Sequence, residues 1–175
     1  LRPTDVLVRL NNLNEAGAAS GEMRANLLEL EGLGKLMAYL PVEQGFKKQF
    51  AEFSPQGHVE NLLLQWQTGS DKPLRYKMKG RFSELSLQRV GKLPGFSGLS
   101  GEVNGDEGSG TLSINSHDLK LDAPQLMPGP VAFDMISGQA NWQVEADELE
   151  VKLRNVAITN ADISGNAYGS YRTQA

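Results

Sequence analysis

The chain has 175 residues, a formal net charge of -4 and no cysteine. That length can bury the core of one domain. The acidic balance excludes general nucleic-acid affinity, which needs a basic excess, and the missing thiol excludes disulfides, thiol catalysis and thiolate metal sites. A hydrophobic fraction of 39% excludes disorder. The 19 Gly and 8 Pro suit many short strands joined by turns better than long helices. No apolar run reaches the ~18 residues of a membrane span, and no signal peptide is present. The abrupt ends at Leu1-Arg2-Pro3 and Arg172-Thr173-Gln174-Ala175 lead to the expectation of a fragment of a longer chain, with its targeting segment elsewhere.

Val6, Val8 and Leu10 alternate with Leu7 and Arg9 and predict a strand. Asn14–Gly21 reads as a loop, and Leu27–Leu30 either ends a strand or begins a helix. Leu30, Leu33, Leu36, Met37 and Leu40 recur at spacings of three and four, the apolar stripe of an amphipathic helix. Pro41 ends it. A second helix is predicted at Val42–Ala51, with Phe46, Phe50 and Phe53 on one side, and Ser54-Pro55-Gln56-Gly57 stops it. These aromatics read either as core packing or as a helical lid over an apolar cavity.

From His58 the period becomes two. Leu62, Leu64 and Trp66 share a face. In Leu74–Phe82 the apolar Leu74, Tyr76, Met78 and Phe82 oppose the basic Arg75, Lys77, Lys79 and Arg81, a separation that no helix would give. Leu85 and Leu87 are out of phase with Phe82, which predicts a bulge near Ser83-Glu84. Pro94–Ser116 reads as a hairpin: Leu99, Gly101 and Val103 alternate with polar residues, Asn104–Gly108 turns, and Leu112 and Ile114 resume. A separate short strand is expected at Leu119 and Leu121, and a proline-rich loop from Ala123 to Pro130. Val131, Phe133 and Met135 form a strand. Gly138, Ala140, Trp142 and Val144 form the next, then Leu149, Val151 and Leu153. Val156 and Ile158 follow after a phase change, and Ile163–Gly169 closes the series.

Nine or ten strands without helical crossovers imply an antiparallel meander. The fold class is therefore mainly β with two short helices: a curled meander sheet, as a β-groove or open half-barrel, with the helices of residues 30–53 covering part of the apolar face. Residues 1–175 form one such domain. Gly138, Ala140, Gly165 and Ala167 favour either tight curvature or close packing against a neighbouring strand.

No motif points to a reaction. His58 and His117, the only histidines, sit in no ligand spacing. Asn104-Gly105-Asp106-Glu107-Gly108 lacks the twelve-residue calcium pattern and reads as a hairpin turn. Gly108-Ser109-Gly110 and Gly169-Ser170 lack the strand–turn–helix context of a nucleophile, Gly95–Gly101 lacks the phosphate-loop lysine, and no carboxylate pair is marked. A non-enzyme without cofactor or metal is expected. The basic face Arg75, Lys77, Lys79 and Arg81 is either a solvated, edge-protecting stripe or a contact for anionic headgroups or an acidic partner.

The order of these pieces resembles the YhdP family of AsmA-like bacterial envelope proteins, related more distantly to the TamB group. The matching pieces are Tyr39-Leu40-Pro41, Phe53–Val59, Arg81–Leu87, Leu93–Gly101, Ser137–Trp142 and Asn155–Asp162. The resemblance implies an inner-membrane anchor outside this chain, followed by a long periplasmic β-groove implicated in moving phospholipid between inner and outer membranes. This chain would be an internal segment, bounded by neighbouring segments of the same protein and open to envelope protein partners. An apolar floor would shield acyl chains at about 0.8 kcal/mol per methylene. The candidate lining is Leu74, Tyr76, Met78, Phe82, Leu99, Val103, Leu112, Ile114, Trp142, Val144, Leu149, Val151 and Leu153. The same residues could instead be core under the two helices.

Overall fold

A computed structural model describes residues 4–11, 19–36, 44–69, 72–91, 93–124, 128–145 and 148–173. Among them are nine strands and two helices: β1 (Val6–Asn11), β2 (Ala19–Glu29), α1 (Leu30–Leu36), α2 (Gln44–Phe53), β3 (Gln56–Gly69), β4 (Lys72–Leu87), β5 (Gly95–Asp106), β6 (Ser109–Asp122), β7 (Val131–Glu145), β8 (Glu148–Thr159) and β9 (Ser164–Arg172). All pair antiparallel in one sheet, in sequence order from β1 to β9. The meander expected from the alternation is what forms.

The expected curl does not form. The sheet is open and uncurled, with β1 and β9 as free edges and no pairing between them. The helices sit at one corner, where α1 packs on β2 and β3. A side chain at Gly34 of α1 would meet the Phe50 ring of α2 at 3.6 Å, and the Phe53 carbonyl accepts the Gln88 amide at 2.7 Å. The first contact sets α2 against α1, and the second holds its end beside the end of β4. Of the predicted helix, Met37–Pro41 and the start of the second lie outside the described residues, as does the side chain of Phe46. Among the described residues the buried apolar ones are Ala25, Leu27, Leu30, Leu119 and Ala123, few for a sheet of nine strands. A single layer has no second layer stacked on its faces over most of its extent, so most of its side chains stay half exposed.

Several strands run longer than their alternation suggests. Leu119 and Leu121 belong to β6, Val131–Val144 is the single strand β7, and Leu149–Ile158 the single strand β8. In each case the apolar phase slips by one residue within a continuous strand. Asn61, Glu84, Asp118 and Asn155 have φ of 51, 54, 55 and 50, and Gly98 has φ 82. The four non-glycine residues are exposed. Each is a bulge that places one extra residue on the polar side. The apolar side therefore continues from Val59 to Leu62, Phe82 to Leu85, Leu99 to Phe96, Ser116 to Leu119 and Leu153 to Val156. The bulge expected near Ser83-Glu84 is present. β7 slips between Phe133 and Ile136, opposite Asp118, with its register to β6 unbroken. Met135 thus joins His117 on the polar face, contrary to its expected place beside Phe133.

Left-handed backbone costs a non-glycine residue about 1–2 kcal/mol. Glu84→Gly is therefore expected to raise stability by about 1 kcal/mol, read as a higher urea midpoint at unchanged slope.

Serines close the ladder where the bulges interrupt it. The Ser116 hydroxyl accepts the Ser100 amide at 2.8 Å and donates to the Ser100 carbonyl at 3.1 Å. The Ser100 hydroxyl accepts the Glu84 amide at 3.0 Å. The Ser86 hydroxyl accepts the Gly98 amide at 3.4 Å.

Candidate functional site

Residues paired across an antiparallel ladder project from the same side, so the register alone assembles the apolar face. One row runs Met23–Leu64–Met78–Gly105–Gly110–Trp142–Val151–Tyr171. The next runs from Val6 and Ala25 to Leu62 on one side, and through Gly80–Val103–Leu112–Ala140–Leu153–Gly169 on the other. A third passes Leu28, Val59, Phe82, Gly101, Ile114 and Gly138. Nearer the other end lie Leu85 with Leu99, Ile136 with Ile158, and the row Leu87–Phe96–Leu121–Val131.

The predicted lining residues come together on this one side: Tyr76, Met78 and Phe82 from β4, Leu99 and Val103 from β5, Leu112 and Ile114 from β6, Trp142 and Val144 from β7, and Leu149, Val151 and Leu153 from β8. The side chain of Leu74 lies outside the described residues. The alternation missed the contributions of β1 and β2, and of Leu119, Phe133 and Ile136 beyond the phase slips. The readable signal for these is an apolar pair spaced by three with a polar residue or glycine between.

Glycines on this face receive aromatic rings. A Cβ at Gly21 would collide with the indole of Trp66, and one at Gly110 or Gly105 with the indole of Trp142. The rings lie flat across their neighbouring strands, and Trp142 Nε1 donates to the Asp106 carbonyl at 3.3 Å. Gly138 packs close, with a Cβ there 2.8 Å from Val156 Cα. For Gly138 the packing reading holds.

The opposite side is polar and internally paired. Arg81 lies 3.7 Å from Glu102, Arg75 lies 3.9 Å from Glu107, and Lys77 pairs with Asp106 across the ladder. Lys79 pairs with Asn104 and Leu63. The basic stripe of β4 is thus matched by carboxylates at three positions. These exposed pairs are worth little singly; they fix a cross-strand pattern. Hydrogen bonds from Gln65 and Arg24 hold the Glu22 carboxyl below the usual range, and Lys152 and Arg172 do the same for Glu150.

Of the Asn104–Gly108 stretch only Glu107 and Gly108 form the turn; Asn104–Asp106 end β5. Asp106 Oδ1 accepts the amides of Gly108 at 2.9 Å and Ser109 at 2.8 Å. These bonds lower its pKa. A polar cleft of about 580 Å³ brings His58 and His117 near Glu31, Glu84 and Asp118. Among the described residues no three such groups converge for a metal ion. Nor is any helix there long and apolar enough to cross a membrane.

The sequence model of the YhdP family, described as YhdP protein, matches residues 3–175. The chain belongs to the YhdP family. Membership implies an AsmA-like protein of the cell envelope. No curated protein matches, and no solved structure does. In this YhdP-family chain the feature that stands out is the apolar face. Its central residues are half exposed, and α1 packs at one corner of the sheet, on β2 and β3.

Proposed function

We propose that this chain is a non-catalytic, periplasmic segment of a scaffold that carries phospholipid between inner and outer membranes, with acyl chains lying on the apolar face. The carrying observation is the extent of that face. The chain exposes 12272 Å², where a compact monomer of 19.0 kDa exposes about 8,400 Å². The surplus is that of a single layer with two open faces, and the apolar one, assembled in register across the sheet, calls for an apolar partner. Acyl chains suit it because contact with Leu, Val and Ile is nondirectional, so a lipid can shift along the sheet without breaking specific bonds.

Neighbouring segments of the same protein would pair with the edges. In β1, Val6, Val8 and Leu10 on one side and Leu7 on the other, beside Arg9, are all exposed. The matched charges of β4 make headgroup contact by Arg75, Lys77 and Arg81 the weaker part of the reading.

Leu112 lies centrally on the apolar face, between Val103 and Ala140; Ser113, the next residue, points to the polar side. After incubation with phosphatidylethanolamine–phosphatidylglycerol vesicles and their removal, Leu112→Glu is expected to retain about tenfold less lipid than the unsubstituted chain, since the carboxylate must be desolvated under acyl chains. Ser113→Glu should retain as much as the unsubstituted chain. Equal capture by Leu112→Glu, with the fold intact by circular dichroism, would sink the reading.

A further inference from the structure

The two ends of the apolar face differ in chemistry. At the end carrying the β3–β4, β5–β6 and β7–β8 turns lie Trp66, Tyr76, Trp142 and Tyr171. Trp66 pairs with Tyr76, and Trp142 and Tyr171 both pair with Val151. Trp66 and Trp142 are the chain's only tryptophans. At the other end the row is Leu87–Phe96–Leu121–Val131, with Phe133 beside Leu119. The described phenylalanines of the sheet, Phe82, Phe96 and Phe133, lie in its middle or toward that end. On the apolar face the described rings with a polar handle thus collect at one margin and rings without one stay away from it; Tyr168 of β9 projects from the other side.

Orientation agrees with position. The Trp142 ring lies over Gly110 and Gly105 on the apolar face, while its Nε1 donates to Asp106 at the turn. Body on hydrocarbon and N–H toward the wet end is the placement such rings take at the boundary between acyl chains and headgroups.

The geometry points to a fixed polarity of bound phospholipid: the glycerol-ester level lies along the Trp66–Tyr76–Trp142–Tyr171 margin, and the acyl chains run from it toward Ile114 and Ile136. This rests on the lipid-carrying reading above and adds the direction in which the lipid lies. The lengths fit. The acyl layer of one leaflet is about 15 Å deep, half of a ~30 Å core. At about 3.3 Å per residue, that reaches from Trp142 to the level of Gly138, near the middle of the strand. The Phe and Leu end then lies beyond the chain termini of that lipid.

The two tryptophans read this margin directly. The chain is incubated with phosphatidylcholine vesicles carrying a nitroxide either near the carboxyl end or near the methyl end of one acyl chain. The vesicles are floated off, and the fluorescence of the lipid-loaded protein is measured. The carboxyl-end label should quench about twofold more than the methyl-end label at equal bound lipid. Trp66→Phe and Trp142→Phe, each leaving one reporter, should show the same order. Equal or reversed quenching, or bound lipid that quenches neither tryptophan, overturns the polarity while leaving lipid capture standing. Absence of bound lipid overturns both.

Discussion

Replacing Gly101 by alanine is expected to lower the unfolding free energy by about 2 kcal/mol, although a strand residue usually gains about 0.5–1 kcal/mol from that change. Geometry decides the sign. A Cβ at Gly101 would fall on the carbonyl oxygen of Ser113 and lie 3.0 Å from the Phe82 ring. The carbonyl belongs to the ladder between β5 and β6, where Gly101 pairs with Ile114 and Glu102 with Ser113. Unlike the tip of a flexible side chain, it cannot rotate away without breaking strand pairing. The cost is that of overpacking, about 1–3 kcal/mol, and it exceeds the propensity gain.

Gly165 supplies the control. It lies on the same face in β9, paired with Ile158, and an added Cβ there meets nothing within 4 Å. Gly165→Ala should therefore show the ordinary strand gain, about 0.5 kcal/mol. Urea unfolding of both variants at unchanged slope reads the difference. If Gly101→Ala is as stable as the unsubstituted chain, the strands do not approach as described, and the third row of the apolar face is misplaced.

The same contacts explain what was legible in the sequence. The alternation of Leu74–Phe82 and the Asn104–Gly108 turn carried their own signals: each residue type matched its side of the strand, or its place in a two-strand reversal. The predicted lining residues with described side chains share one face for that reason. β2 was hidden because Gly21 stands where an apolar residue should. The missing side chain is supplied by Trp66 of the next strand, a relation that alternation within β2 cannot show. The strands of Leu119 and Val131 seemed to break where the phase slipped. For β7 the cause lies in β6: Asp118 bulges, and Phe133 and Ile136 follow it in register with no positive φ of their own. Gly105 and Gly110 are likewise clearance for the Trp142 ring, which comes from β7.

The largest effect from removing one polar atom is expected at Ser116. It is fully buried, at 0% exposure, on the apolar face beside Ile136. Its position follows from the bulges. The register between β5 and β6 shifts between Ser97 and Gly101, and across this gap the Ser116 hydroxyl serves both the amide and the carbonyl of Ser100. Alanine fits the space but can make neither bond. Two part-buried backbone groups of Ser100 lose their partner, and leaving such a group unsatisfied costs about 1–3 kcal/mol. Ser116→Ala should lose about 2 kcal/mol, whereas Ser113→Ala on the polar side should stay within about 0.5 kcal/mol. Amide exchange separates this from a general loss of packing. Ser100 and Glu84, whose amides lie along the serine relay, should lose protection before Val103 and Leu112. Uniform loss across β5 and β6 would mean that Ser116 acts only by filling volume and that the serines do not hold the bulged strands together.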